Sequence, residues 1–304
     1  MDFHKGRWAP NTQAAYDVGW RDWETWCRLC DRSPLPAEPQ AIASFIRFKA
    51  ETLKWASISQ RLAAIRAVHK DAKAKLEKTN PDRELYTLDD PIITDACKEV
   101  QRVHGSAKTP KAAIVTKDLK RIIKGIPADH AQDIAVLLVG FAGALRRSEL
   151  VALNVDDLEF SNTGLTITIR RSKTDKSGKG EPVAILRSGS ETCAVAALEY
   201  WLNDITFVER GGDGGPIFRT ERGTRMAAAT VAKITKHWAQ MAGFDPRPLG
   251  AHSLRRGCIT SMFRGDAKIE EIMRHSRHKT VGIALGYVEA QQALANPAIK
   301  ALGL

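Results

Sequence analysis

A short segment in the first half of the chain interrupts the apolar pattern that is typical of helices. Residues 104–113, HGSAKTPKAA, show no hydrophobic periodicity and are rich in Gly, Pro, Ser and Lys. Such a composition is typical of an exposed linker between domains. A chain of 304 residues is long enough for two domains with their own cores. We therefore predict two domains, residues 1–107 and 108–304.

The predicted first domain is helical throughout. Apolar residues recur at the helical period in four segments, which begin near residues 10, 38, 57 and 89, and the last segment ends near Gly105. Cys27 and Cys30 form a CxxC pair within the first segment, but no second Cys or His pair follows at zinc-finger spacing. We interpret the pair as packing residues of a small helical bundle.

The predicted second domain combines helices with a small antiparallel sheet. It begins with two helical segments, TKDLKRIIKGI and HAQDIAVLLVGFAGAL, and changes character at Gly164. There β-branched residues alternate with others along LTITIRRSK, which predicts a strand. The next residues, TDKSGKGE, are typical of a turn, and PVAIL is again apolar, so the three segments together predict a hairpin. Helical patterns return from Glu191, interrupted by RGGDGGP. The predicted fold class is mostly α (α+β), with a helical first domain and a mostly helical second domain.

Charge and composition limit the partners. The formal net charge is +11, of which residues 109–304 carry +8, and this surplus favours a polyanion such as nucleic acid over a merely basic soluble protein. The longest apolar stretch, Ile134 to Leu145, is too short to cross a bilayer. Five cysteines and the absence of a signal peptide indicate a reducing cytoplasm, and we expect no membrane association.

No cofactor or metal is expected either. The chain has no phosphate-binding loop of the GxxxxGK[ST] type and no obvious carboxylate cluster for magnesium. His252, Cys258, His275 and His278 are an alternative metal set, but their spacing matches no zinc motif of the HExxH type.

Basic and aromatic residues in the second domain carry the functional signal. Arg146 lies in GALRRSEL, Lys173 at the hairpin tip in RRSKTDKSGKG, and His252 and Arg255 on one helical face in AHSLRRGC. His278 follows, nine residues before Tyr287. Each has a purely structural interpretation on its own, as a helix-terminal charge, a turn lysine or a core residue.

In this order, the residues resemble the tyrosine recombinase (phage integrase) family over nearly the whole chain. The stretch from NTQAAYDVGWRDW to IRFKAE resembles the core-binding domain of Cre-like members, and IEEIMRHSRHKTVGIALGYV resembles the segment that carries the nucleophile. Many members have Leu-Gly before the histidine of that segment, where this chain has Ser276 and Arg277. His275 is therefore a rival, and the nine-residue spacing favours His278.

The resemblance implies a role for each residue. Tyr287 attacks the scissile phosphate and forms a 3′-phosphotyrosyl bond. The guanidinium groups of Arg146 and Arg255 match phosphate oxygens and stabilise the phosphorane. The remaining implied roles are proton handling or hydrogen bonding by His252 and His278, protonation of the 5′-oxygen by Lys173, orientation of a cation by Glu149, and contacts to flanking phosphates by Arg147, Arg256, Arg277 and Lys279.

The implied function is site-specific DNA recombination without ATP or metal. The resemblance implies a homotetramer that acts on two duplex sites with inverted repeats, through a Holliday junction. It also implies a bacterial or phage-encoded protein in the cytoplasm, associated with the nucleoid. Asn296 and Pro297 begin a short predicted helix whose apolar residues would dock on a neighbouring subunit. Two alternatives are a DNA-binding regulator or architectural protein that does not cut, and a relaxing enzyme that resembles type IB topoisomerases.

Overall fold

A computed structural model describes residues 8–79, 88–105, 111–170, 180–211 and 214–282. The chain forms two compact units, Met1–Thr109 and Pro110–Leu304. The sequence places the division between residues 107 and 108, within the linker. Three of the sequence predictions lie outside the described residues, namely Lys173, Tyr287 and the helix after Asn296.

The first unit is a bundle of four helices: α1 (Pro10–Leu29), α2 (Pro39–Ala50), α3 (Trp55–Thr79) and α4 (Pro91–His104). Proline begins three of them, at the position where the missing N–H is not needed for a helical hydrogen bond. α1 packs on α3 and α2 packs on α4. Trp23, Trp26 and Phe45 meet in the core, and Cys27 is fully buried beside them. Cys30 is exposed, so the interpretation of the pair as packing residues is wrong for Cys30.

The second unit contains eight further helices among the described residues: α5 (Thr116–Lys124), α6 (Ala131–Ala142), α7 (Arg147–Ala152), α8 (Ala194–Leu202), α9 (Ile205–Glu209), α10 (Ala228–Met241), α11 (Ala251–Arg264) and α12 (Ile269–Ser276). Three antiparallel strands, in the order β1 (Leu158–Phe160), β2 (Gly164–Ile169) and β3 (Glu181–Leu186), form its sheet. The predicted fold class is confirmed. None of the described helices is long and apolar enough to cross a membrane.

The core of the second unit lies around α6. This helix is apolar on nearly every side, and it packs against both α8 and α11. Alternate residues of β2, Leu165, Ile167 and Ile169, join the same core, as the period of a strand with one buried face requires. The carboxyl end of α6, at Ala142, therefore meets α11 in the interior of the unit.

Gly257 allows an extended segment to lie directly on α11. The backbone N–H of Ile114 donates to Ser253 O at 3.1 Å, and the N–H of Ala112 donates to Pro248 O at 2.9 Å. A Cβ atom at residue 257 would lie 1.7 Å from Ile114 O. Only glycine permits this approach, which fixes the start of the unit against the helix that carries His252 and Arg255.

We expect Gly257→Ala to lower the free energy of unfolding by about 3 kcal/mol or more, because the methyl group must displace backbone. Gly265→Ala, at the residue that caps the carboxyl end of α11, is the control, since its Cβ would meet Ser261 O at an ordinary 3.5 Å. Urea unfolding measures both variants. Equal stability of the two variants would show that the extended segment does not pack on α11.

Candidate active site

Arg146 lies at the turn between α6 and α7. It is the N-cap residue of α7, and Glu149 in the first turn of that helix accepts the Arg146 backbone N–H at 2.9 Å through Oε2. The other oxygen, Oε1, accepts Nη1 of Arg146 at 2.5 Å. Backbone and side chain of Arg146 are therefore both held by one carboxylate, while the Arg146 side chain remains about a quarter exposed.

Glu149 is buried and ionised. Burial alone raises the pKa of its carboxyl group, but the backbone N–H of Arg146 and the charges of Arg277 and Arg146 outweigh burial and lower the pKa below its ordinary value. The family resemblance implied that Glu149 orients a neighbouring cation. In the structure, Glu149 contacts two cations, Arg146 and Arg277.

Arg255 is fully buried in α11 and binds three residues from two separate segments. Its Nη1 donates to Ala144 O at 2.5 Å, and its Nη2 donates to Ser276 O and to Nε2 of His278, the latter at 3.0 Å. A buried guanidinium is tolerated when acceptors surround it. These bonds bring the end of α12 and the turn before Arg146 to the same face of α11.

The hydrogen bonds of His278 define its tautomer. The hydroxyl of Ser276 donates to Ile272 O at 2.6 Å, so its oxygen is left to accept from Nδ1 of His278 at 2.8 Å. Nε2 must then carry the lone pair that faces Arg255. Desolvation and the positive charges of Arg255 and Arg146 lower the pKa of His278 to about 4. His278 is therefore neutral at pH 7, with its proton on Nδ1.

His252 lies one turn before Arg255 on α11, at the exposed side of the site. Partial desolvation lowers its pKa below the ordinary value, and so do the charges of Arg255, Arg256, Arg146 and Arg147, in that order. The structure therefore brings four of the six predicted site residues together: Arg146, His252, Arg255 and His278.

His275 faces away from this cluster. Its Nε2 lies 2.7 Å from Ala142 O, and its pKa is lowered mainly by desolvation. Cys258 of the alternative metal set is buried, which raises the pKa of its thiol to about 12. Within the described ranges, no group of three or more His, Cys, Asp or Glu side chains is arranged to hold a metal ion.

The flanking basic residues differ in exposure. Arg147 and Lys279 are exposed and Arg256 is half-buried, as contacts to flanking phosphates require. The side chain of Arg277 is only 5% exposed and lies 2.8 Å from Glu149. The phosphate contact predicted for Arg277 does not fit this pairing, because the Glu149 carboxylate already balances the charge of the Arg277 guanidinium.

One ion pair and one set of hydrogen bonds in the second unit have no signal in the sequence. Buried Asp157 pairs with Arg170, the last described residue before the hairpin tip that carries Lys173. Arg225 donates to Val151 O at 2.7 Å and to Asn154 Oδ1 at 2.6 Å, so it fixes the carboxyl end of α7. The partners of Arg225 lie more than 70 positions away in the chain, and patterns among neighbouring residues of a sequence cannot predict such a contact.

We expect His278 in the free protein to show a protonated Nδ1 and an unprotonated Nε2 at pH 7, and to titrate with a pKa of about 4. Nitrogen NMR of the imidazole rings measures both properties, and His278→Gln identifies the signal. In the unfolded state His278 is protonated below a pH of about 6.5, whereas in the folded state it is protonated only below about 4. The free energy of unfolding therefore decreases as the pH falls from about 6.5 to about 4. A midpoint near 6.5 would contradict the described environment.

Comparisons with known proteins identify the family of this chain. The model of the phage integrase family matches residues 113–293. An integrase/recombinase XerD homolog of Selenomonas ruminantium is 34% identical over 287 residues, which cover 92% of this chain and 82% of the relative. Tyrosine recombinase XerD of Yersinia pestis is 26% identical and covers 90% of this chain and 86% of its own.

Solved structures share the fold. The XerH site-specific recombinase in a post-cleavage complex with palindromic difH substrate superposes with a TM-score of 0.66 at 16% identity, covering 96% of this chain and 78% of its own. A lambda integrase dimer bound to a core site gives a TM-score of 0.65 at 14% identity, covering 95% and 92%. On the family match and the relatives, the chain belongs to the phage integrase family and is a site-specific tyrosine recombinase.

Proposed function

We propose that this recombinase cuts and rejoins duplex DNA through a 3′-phosphotyrosyl intermediate at a site built by Arg146, Lys173, His252, Arg255, His278 and Tyr287. The observation that carries the proposal is the convergence of Arg146 and Arg255 with two histidines whose pKa values are lowered. Fixed guanidinium groups beside neutral imidazoles suit a reaction that gathers negative charge on phosphate oxygens and releases a proton.

In the proposed step, the phenolic oxygen of Tyr287 forms a bond to phosphorus, and the bond from phosphorus to the 5′-oxygen breaks. A phenol with a pKa of about 10 is mostly protonated at pH 7, so a neutral histidine accepts its proton. Lys173 donates a proton to the departing 5′-oxygen. The tyrosyl ester keeps the phosphodiester energy, and the reverse reaction on another strand needs no ATP.

His252 is the proposed proton acceptor, because Nε2 of His278 already accepts a hydrogen bond from Arg255 and Nδ1 of His278 carries the proton. An imidazolium has no lone pair and cannot accept the phenolic proton, and the lowered pKa of His252 keeps this ring neutral near pH 7. Desolvation lowers that pKa, the nearby guanidinium charges lower it further, and the same charges favour the phenolate of Tyr287.

The proposed partners are duplex DNA with inverted-repeat sites and three further copies of this chain. XerH was solved on its difH substrate, and a lambda integrase tetramer was solved on a Holliday junction. We propose the same assembly here, with the segment after Asn296 docking between subunits, and with the cytoplasmic nucleoid as the place of action. The formal charge of +11 supports a DNA partner.

The first test is the covalent intermediate. A duplex is enriched from a random-sequence library by binding to the wild-type protein, and cleavage is assayed in buffer with EDTA and without ATP. We expect wild-type protein and Tyr200→Phe, which alters an exposed tyrosine of α8, to form an adduct on the DNA 3′ end that survives denaturation. Tyr287→Phe should bind the duplex normally and form none, because it removes one oxygen and no charge. An adduct in Tyr287→Phe would assign the nucleophile elsewhere.

The second test separates two neighbouring arginines. Arg146→Ala should lower the single-turnover cleavage rate by about 10²-fold or more, since it removes a fixed donor to a developing anion. Arg147→Ala, at an exposed residue one position later, should weaken binding and reduce its salt dependence while leaving the rate at saturating DNA near that of the wild type. Equal losses of cleavage rate in the two variants would show that Arg146 does not stabilise the scissile phosphate more than its neighbour Arg147 does.

A further inference from the structure

Arg277 combines an unfavourable backbone with a buried side chain. It follows α12 with φ 58° and ψ 44°, in the left-handed region that normally favours glycine at the end of a helix. The chain nevertheless has an arginine there, and the side chain is 5% exposed. A residue with this cost in the backbone is expected to contribute through its side chain.

The guanidinium of Arg277 contacts the turn that precedes Arg146. Nη1 donates to Gly143 O at 3.3 Å, and Nη2 donates to Ala144 O at 3.4 Å. Ala144 O is also the acceptor for Nη1 of Arg255. Arg277 and Arg255 therefore hold the same backbone turn from two sides.

Arg277 also balances the charge of Glu149. Its Nη2 donates to Oε2 of Glu149 at 2.8 Å, and Oε1 of the same carboxylate binds the guanidinium of Arg146 at 2.5 Å. Without Arg277, the guanidinium of Arg146 would be the only one of these two cations left beside the Glu149 carboxylate. Both carboxylate oxygens would then attract the Arg146 guanidinium. With Arg277 present, one oxygen is occupied, and the Arg146 charge is left in part for an incoming anion.

The remaining edge of Arg277 faces the base of the hairpin. Its Nε lies 3.9 Å from Oε2 of Glu181, the first residue of β3. Both atoms are buried, and neither has a hydrogen-bond partner among the described residues. A movement of about 1 Å would bring them within hydrogen-bond distance. Arg277 thus lies between Glu149 and the strand that continues from the Lys173 hairpin.

We propose that Arg277 is a positioning residue, which acts through Glu149 to hold the guanidinium of Arg146 where a phosphate can reach it. The proposal rests on the proposed function for its cleavage readout. It replaces the DNA contact that the sequence suggested for Arg277, and it gives a reason for an arginine at a backbone position that favours glycine.

The test uses Arg277→Gly, which fits the left-handed backbone, Arg277→Lys, which keeps the charge, and the control Arg274→Ala at an exposed residue of α12. On the enriched duplex, we expect Arg277→Gly to cleave at least about 10-fold more slowly than wild type, while its DNA affinity stays within about 2-fold of wild type. Arg277→Lys should recover part of the cleavage rate. Arg274→Ala should cleave at the wild-type rate. In Glu149→Gln, adding Arg277→Gly should have little further effect, because the carboxylate charge is already gone.

Each other outcome overturns the proposal. A wild-type rate in Arg277→Gly, or losses that multiply in the double variant, would exclude action through Glu149. Weaker binding with a salt dependence reduced by about one phosphate contact would restore the DNA contact. The NMR signal of the Arg146 Nε–H in the free protein should move in Arg277→Gly and return in Arg277→Lys. An unchanged signal would reject the positioning role, whether or not the wild-type protein cuts DNA. Failure of the wild-type protein to cut would reject the proposed function and leave the NMR test of Arg277 valid.

Discussion

The buried guanidinium of Arg255 is the interaction on which the site depends. Its hydrogen bonds join the turn after α6, the end of α12 and the ring of His278 to the middle of α11. A buried cation is costly unless acceptors surround it, so these hydrogen bonds favour the arrangement in which the segments supply those acceptors. Desolvation lowers the pKa of His252 and His278, and the charge of Arg255 lowers both further. One side chain therefore contributes to both the geometry and the proton affinity of the site.

Charge balance around Glu149 is the second constraint. One buried carboxylate contacts Arg146 and Arg277, and Arg255 is bound to neutral carbonyl and imidazole acceptors. The cluster therefore keeps a positive surplus, which disfavours protonated histidines and favours an anion. In the proposed reaction a scissile phosphate supplies that anion, and the charges of the cluster are in place before it binds.

Local periodicity was sufficient for the fold class. The four helices of the first unit begin near the residues that the apolar pattern indicates, and β2 and β3 lie where LTITI and PVAIL alternate, because amphipathic elements record their buried face in neighbouring residues. The roles of Lys173 and Tyr287 stay predictions, since both residues lie outside the described part of the chain. Arg277 shows the limit of such patterns. The resemblance implied a DNA contact for it, and the structure pairs its side chain with Glu149 instead.

The sequence by itself determined two helical units, a hairpin and the order of basic residues that marks the family. It did so because helix and strand periods, turn residues and motif spacing are local properties. Only the tertiary structure decided the tautomer of His278, the burial of Arg277 and the clamp of Arg225 on α7. Each of these depends on which polar atoms remain to be satisfied after distant segments pack, as between Arg255 and Ala144, 111 positions apart, or Arg277 and Glu149, 128 apart.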